Sequence, residues 1–482
     1  AAVIGARRGR AADAVRGVIV GFEQRGRARA IRGQMSGRER SRRCDEHRGR
    51  RHPCQQHAPD ASGGKTHALT IIHAMRSAFV AAIGLAALFA TAHPSAQDWL
   101  DGYREPAGRL IKEAQSSDFG WNRLAELTDT FGPRLSGSEN LARAIEWAAA
   151  EMQKDGLEAR TERVMVPVWI RGDERLDMVM PARQPIPMLG LGGSVGTPEA
   201  GIEAPVIVVR SFDELKANAA QVQGRIVLFN VPFTTYGATV VYRSTGASEA
   251  AKLGAVASIV RAVGPVGLRT PHTGAQNYAE GVTRIPAAAV SAEDADRLQR
   301  LQDRGVETVL RLRMQARMAD DAPSANVIGE IRGRERPVEI VLIGCHFDSW
   351  DVGTGASDDA VGCIVTWEAA RLIRKLGLQP RRTIRLVLWT NEENGLRGAN
   401  AYAERHAAAA KDHVLALESD SGVFEPASIG MTASDTARAT MQRVMTLLAP
   451  LGLEALGGGG GGADIGPIAQ AGGVPMMAYS GD

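Results

Sequence analysis

VEIVLIGCHFDS (338–349) opens the part of the chain that decides the fold, and three further segments complete it: GASDD (355–359), TIRLVLWTNEEN (383–394) and HVLALESDSG (413–422). Three apolar runs rich in Val, Ile and Leu each stop abruptly at a residue type that binds hard or borderline metals. The first ends at His346, the second just before Glu392 and Glu393, and the third just before Asp420. Asp358 and Asp359 stand in a Gly/Ala/Ser turn between the first two runs. In open α/β sheets, ligands collect beyond the carboxyl ends of the strands. Polar clusters repeated at that place on several strands are explained by chemistry better than by folding.

Working outward, the spacing predicts strand 338–347, helix 359–376, strand 383–390, a helix over about 396–406, strand 413–419 and helix 435–448. In the first helix, Val361, Val365, Leu372 and Leu376 are expected to form the buried stripe. Regular alternation of this kind implies a sheet with helices on both faces, an α/β/α sandwich. Upstream, Trp99 to Asp129 reads as helical. Ser136 or Ser138 is suited to cap a helix that Gly156 stops, and Glu162 to Trp169 alternates as a strand. Between about Met188 and Arg317 the texture changes to short β-type runs (APVIVV, GRIVLFNV, VASIV, IPAAAV) separated by Gly and Pro, with one short helix at Ser248–Leu253. This predicts an inserted β-rich domain. The Gly457–Gly462 run reads as a flexible loop; no Lys-Ser/Thr follows it, so a phosphate cradle is not supported.

A chain of 482 residues with 44% hydrophobic content can bury a large core and divide into domains. Its formal charge of +3 is uneven: residues 1–74 hold 16 Lys+Arg against 6 Asp+Glu, while the remainder carries 41 against 48. The body is mildly acidic, so the basic balance is no argument for a nucleic-acid partner. From Met75, one Arg, an apolar run at Phe79–Ala92 and small residues form the pattern of a secretory signal, with cleavage expected after Ala92 or Ala96. The run is shorter than the ~20 residues of a spanning helix, so no stable membrane anchor is expected. Residues 1–74 are read as lying outside the mature protein. Their Cys44, His47, His52, Cys54 and His57 follow no zinc-finger spacing. Cys345 and Cys363, in a strand and on an apolar helix face, are expected to be inert core thiols.

A two-metal hydrolase needs a carboxylate shared by two cations, terminal His and carboxylate ligands, and a separate base. Asp358 suits the shared position, because adjacent carboxylates repel unless cations neutralise them. Asp359 suits a partial helix cap. Of Glu392 and Glu393, one can ligate while its neighbour acts as general base. Asp348, two residues beyond His346 and so on the same side of an extended chain, is expected to be an acceptor that fixes the imidazole tautomer.

On these residues the chain resembles the carboxypeptidase Q (plasma glutamate carboxypeptidase) group of aminopeptidase-type di-zinc exopeptidases. The resemblance is carried by HFDSWDVG (346–353), GASDD, WTNEE (389–393) and ESD (418–420), and extends through FGPRLSGSENLARAIEW, SANVIGEI and ADI…AGGVP. It implies a three-layer α/β/α catalytic domain with a mixed sheet at 97–189 and 318–482, and an inserted protease-associated domain at 190–317. It implies two zinc ions, one held by His346, Asp358 and Asp420, the other by Asp358, Glu393 and a histidine. Glu392 is then the base for a metal-bridged water that attacks dipeptides or short peptides. The family's last histidine follows the strand matching Val474–Ala478, so the second site is expected to be completed beyond Asp482. His272, His406 and His413 are not natural substitutes. The resemblance further implies a secreted or periplasmic enzyme and leaves room for a homodimer. An inactive binding module of the same fold, or an amidohydrolase acting on acylated amino acids, remains an alternative.

Overall fold

The computed structural model describes residues 98–420, 426–453 and 455–481. The signal at 75–96 and the Cys/His run at 44–57 lie outside them. Helices α1 (Asp101–Ser116), α2 (Phe119–Phe131) and α3 (Glu139–Lys154) come first. The expected single helical stretch thus divides in two before Phe119. Ser138, not Ser136, caps α3: its hydroxyl accepts from Leu141 N at 3.2 Å. Strand β1 (Glu158–Ile170) follows, then β2 (Glu174–Met180), β3 (Gln184–Ile186), β4 (Met188–Gly190) and β5 (Ile202–Val209). Next come α4 (Phe212–Ala217), α5 (Ala219–Val222), β6 (Ile226–Phe229), α6 (Tyr236–Ser244), α7 (Gly246–Ala251), β7 (Ala257–Arg261), β8 (Ala287–Val290), α8 (Ala292–Asp303) and β9 (Val309–Met314).

The remaining elements carry the motifs: β10 (Arg317–Ile331), β11 (Arg336–His346), α9 (Val361–Lys375), β12 (Arg382–Trp389), α10 (Arg397–Arg405) and β13 (His413–Ser419). After them come β14 (Pro426–Thr432), α11 (Asp435–Met445), β15 (Leu456–Gly458), α12 (Gly466–Gly472) and β16 (Met476–Gly481). No helix among the described residues is long and apolar enough to cross a membrane.

Two mixed eight-stranded sheets result. The first runs β1-β10-β12-β11-β13-β16-β14-β15, with β12, β11, β13 and β16 parallel. Its central strands are buried on both faces, as parallel strands covered by helices must be: Leu386, Val387, Leu388 and Trp389 have no exposure. In α9 the buried set is wider than the expected stripe. Ile364, Trp367 and Ala370 join Val361 and Leu372, while Val365 is only half-buried. The second sheet runs β3-β2-β9-β5-β6-β7-β8-β4, with β5, β6, β7 and β8 parallel and helices beside it. It draws in residues from Glu174 onward, upstream of the expected start at 190, because β2 pairs with β9. The loop after β11 is held from two sides by the segments that flank β2–β4. Arg171 pairs with Asp351 at 2.7 Å, and Gly192 makes room for the Trp350 ring, which a Cβ there would strike.

Two local expectations are corrected. Cys345 and Cys363 are joined as a disulfide, because the last turn of β11 and the first turn of α9 pack with Cα atoms 5.0 Å apart, within bridging range. The glycine run is a loop only from Gly459 onward: Gly457 and Gly458 belong to the short edge strand β15, and a Cβ at Gly462 would meet the Glu418 carboxyl carbon at 2.1 Å.

Candidate metal centre

The sheet order places β11 between β12 and β13, the strand at which the chain changes direction across the sheet and a crevice opens. His346 is register-paired with Trp389, so the loops after β11 and β12 leave the sheet at one level. His346, fully buried, places Nε2 2.9 Å from Asp358 Oδ1 and 3.5 Å from Asp420 Oδ1. Glu392 and Glu393 follow β12 through Asn391, whose left-handed backbone (φ +66) turns the chain; Asn tolerates that conformation better than most residues. Asn391 donates to Ser136 Oγ at 3.0 Å and accepts from Arg397 N at 3.1 Å, which fixes the turn.

Asp348 lies against the imidazole as expected, but through its backbone carbonyl, and its carboxylate does a second job. The imidazole Nδ1 of His346 faces the backbone carbonyl of Asp348 at 2.9 Å, not its carboxylate. The chain turns as it leaves β11, and the carboxylate instead accepts from Glu392 N at 3.0 Å and Glu393 N at 3.3 Å, with Ser136 Oγ at 3.3 Å. Asp348 therefore holds the pair of glutamates in place. Asp359 Oδ1 accepts from Gly362 N at 3.1 Å, the cap foreseen for it.

Three groups of donor residues among those described have ligating atoms within 4.8 Å of one another. One is His346, Asp358 and Glu393; the second is His346, Asp359 and Asp420. The third, Cys345, Asp359 and Cys363, has its thiols taken by the disulfide. The structure thus brings together every expected ligand in this chain, but gathers Asp359, not Asp358, with Asp420. Burial pushes the carboxyls of Asp359 and Glu393 well above their ordinary range, aided by neighbouring acids and opposed by His346. Burial likewise pushes Glu392 up to about 7, with Asp348, Asp420 and Asp358 adding to it. Although burial alone would depress His346, hydrogen bonds to Asp358 and Asp420 hold it well above its usual value. Glu393 Oε1 and Asp359 Oδ2 are buried without a hydrogen-bond partner. Acids this crowded, with orphaned oxygens beside one imidazole, match the donor set of a zinc-type cation site.

Three residues that sequence reasoning passed over shape the site. Arg134 is fully buried and donates to the carbonyls of Phe347, Gly132, Thr354 and Gly355, pinning the loop between His346 and Asp358. Burial lowers its pKa to about 10, against the pull of Asp348 and Asp359. The only trace in the sequence is a lone Arg in FGPRLSG. Arg243 and His272, from the insert, line the same cavity as His346, Asp358 and Glu392. His272 therefore faces the site after all, although it belongs to none of the donor groups. His406 and His413 are elsewhere, bonded to Glu162 and Tyr402.

The profile of Peptidase family M28 matches residues 326–482. Carboxypeptidase Q of Mus musculus is 46% identical over 374 residues, spanning 77% of this chain and 80% of that protein. The Homo sapiens carboxypeptidase Q is 47% identical over 364 residues, spanning 75% and 77%. The chain belongs to peptidase family M28. It is a carboxypeptidase Q-like metallo-exopeptidase. A peptidase M28 precursor from Shewanella amazonensis superposes with a TM-score of 0.77 at 38% identity, covering 79% of this chain and 88% of that one. A zinc aminopeptidase from Bacillus subtilis shares the fold at a TM-score of 0.58 and 21% identity, covering 75% and 84%.

Proposed function

We propose that this M28 peptidase hydrolyses dipeptides or short peptides, with Glu392 as general base and His346, Asp358, Glu393 and Asp420 as ligands of two zinc ions. The observation that supports the reading is the gathering of Asp358, Glu393, Asp359 and Asp420 around His346, whose Nε2 can serve one cation, with Glu392 on the same cavity wall. Bound zinc would polarise the scissile carbonyl and make water more acidic. Asp358, grouped with His346 and Glu393, would be the carboxylate shared by the two cations, and Asp359, grouped with His346 and Asp420, accepts from Gly362 N at the helix cap. The carboxylate of Glu392 takes the proton of the attacking water and delivers it to the departing amide nitrogen. A carboxyl poised near neutral pH is matched to both transfers. Asp348 keeps that carboxylate aimed by holding the backbone of Glu392 and Glu393.

The apolar run after Met75 supports export, and the Cys345–Cys363 bond suits the same oxidising compartment. The test is Glu392→Gln in the zinc-loaded chain. Metal content should be retained while kcat for a dipeptide falls by about 10²–10⁴-fold. Hydrolysis at the unaltered rate would overturn the assignment of the base.

A further inference from the structure

Asp359 belongs to two donor groups at once. One joins it to His346 and Asp420 at the metal centre; the other joins it to Cys345 and Cys363, and all three of these residues are without exposure. None of the three lines the cavity, whereas His346, Asp358, Glu392, Glu393 and Asp420 all do. The disulfide therefore lies behind the ligand wall, next in sequence to His346 and one helical turn after Asp359.

That position matters because the two ligand-bearing arms are joined by a loop in which Val352, Gly353 and Thr354 are exposed. Two devices fix how far apart the arms stand. One is Arg134, which binds the carbonyls of Phe347, Thr354 and Gly355. The other is the Cys345–Cys363 bond, which joins the end of β11 to the first turn of α9. Their Cα atoms are 5.0 Å apart, and Cys363 Sγ stands 3.0 Å from the His346 carbonyl. Asp359 is held against the same turn: its Oδ1 accepts from Gly362 N, and a Cβ at Gly362 would lie 2.3 Å from that oxygen. Its Oδ2 is buried with no hydrogen-bond partner. A disulfide sulfur carries no proton, so the bonded pair offers Oδ2 nothing to accept and leaves it for a cation. Two thiols in the same place would be weak donors within 4.8 Å of that carboxylate.

We infer that Cys345 and Cys363 are a redox-controlled positioning pair of the metal centre, acting through Asp359: the bonded form keeps zinc, and the dithiol form releases it faster. Cutting the bond has two consequences at Asp359. It frees the spacing between β11 and α9, and it supplies S–H groups that compete with a cation for Oδ2. The electrons come from a thiol or phosphine reductant. A dithiol reduces the pair by exchange and ends as its own disulfide, its two protons passing to Cys345 and Cys363. Because both cysteines are buried, that exchange requires β11 and α9 to part. The redox state is therefore set as the chain folds and kept afterwards, which ties a competent metal centre to folding in an oxidising compartment. The inference rests on the zinc reading proposed above and adds a condition to it.

The experiment folds the full chain either with oxidised glutathione or with a trialkylphosphine. The phosphine breaks the S–S bond, becomes its oxide with an oxygen from water, and leaves the two water protons on the sulfurs. Each form is freed of reagent and loaded with zinc under nitrogen. Zinc release to a chromophoric chelator is then timed at a temperature where circular dichroism shows both forms folded. The dithiol form should release zinc about 10–100-fold faster, the range for groups that orient metal ligands, and reoxidation should remove the difference. Asp359→Asn should release zinc quickly in either redox form, with the ratio between forms reduced to about twofold. A bond that only stabilised the fold would keep the ratio. Equal release by the two forms of the unaltered chain, or a ratio that survives Asp359→Asn, would overturn the inference and leave the peptidase reading intact. Should reduction or Asp359→Asn unfold the protein, Cys345→Ala combined with Cys363→Ala decides. This variant lacks the bond and must release zinc about threefold faster or more than the oxidised chain, or the inference fails. If the oxidised chain takes up no zinc, the zinc reading itself falls, and the inference with it.

Discussion

The two sheets of this protein share a plan: four parallel strands in the middle, antiparallel strands outside, helices across the faces. What differs is the fate of the polar residues where the parallel strands end. In the insert they are consumed locally. Ser211 and Ser291 cap the helices that follow, accepting from Glu214 N and Asp294 N. Asn230 accepts from Arg261 at 2.9 Å and donates to Asp296, to which Arg261 also binds. In the catalytic sheet the corresponding positions hold His346, Glu392, Glu393 and Asp420, which crowd together and leave buried oxygens unpaired. The same architecture thus closes upon itself in one region and remains open to a cation in the other. Fold alone does not confer the chemistry; unsatisfied strand ends do.

The sharpest way to break this contrast is to remove the residue common to both donor groups. His346→Ala should lower bound zinc and reduce kcat/KM by about 10³-fold or more, because the charge stabilisation supplied by the cations is lost. Elemental analysis of folded protein checks it; unchanged stoichiometry would remove His346 from the ligand set. A smaller effect is expected one layer out. Asp348→Ala frees the backbone of Glu392 and Glu393 and should cost about 10–100-fold in activity, the usual range for residues that orient a metal centre. It should act mainly on kcat, measured with zinc saturating, if Glu392 is the base proposed above, since Asp348 holds the backbone of Glu392 and not the substrate.

How far could the sequence alone be taken? The strand ends were legible because each apolar run stops at a ligating residue, and because strand β13 matches the expected 413–419 and β11 and β12 lie within a residue or two of theirs. The features that escaped are those defined by distant partners. Arg134 meets the Phe347 carbonyl across 213 positions of chain, and nothing local to FGPRLSG reveals it. Arg243 and His272 matter only because the insert faces the cavity. The Cys345–Cys363 bond depends on how α9 packs against β11, which the helical periodicity of α9 did not resolve: its true buried face centres on Ile364 and Trp367. Asp348 was placed near the right residues with the wrong atoms, since i and i+2 share a side only while the chain stays extended. The membership of β2 in the second sheet was not legible for a similar reason, β2 being recruited by β9 from more than a hundred positions away.

The smallest effect tests the other half of the contrast. Asn230 ends β6 as Glu392 follows β12, yet it is 5% exposed and occupied by Arg261 and Asp296. It does not line the cavity. Asn230→Ala removes an acceptor from the Arg261 guanidinium, whose Nε is already without a partner, and leaves a small void in the insert. The expected loss is about 1–2 kcal/mol of stability, the cost of leaving a buried donor less well satisfied, read as a lower denaturation midpoint with an unchanged slope. Zinc content and kcat/KM should stay within about twofold. A large fall in activity from this variant would mean that the insert's strand ends communicate with the metal centre, and that the division between a self-satisfied sheet and an open one is drawn in the wrong place.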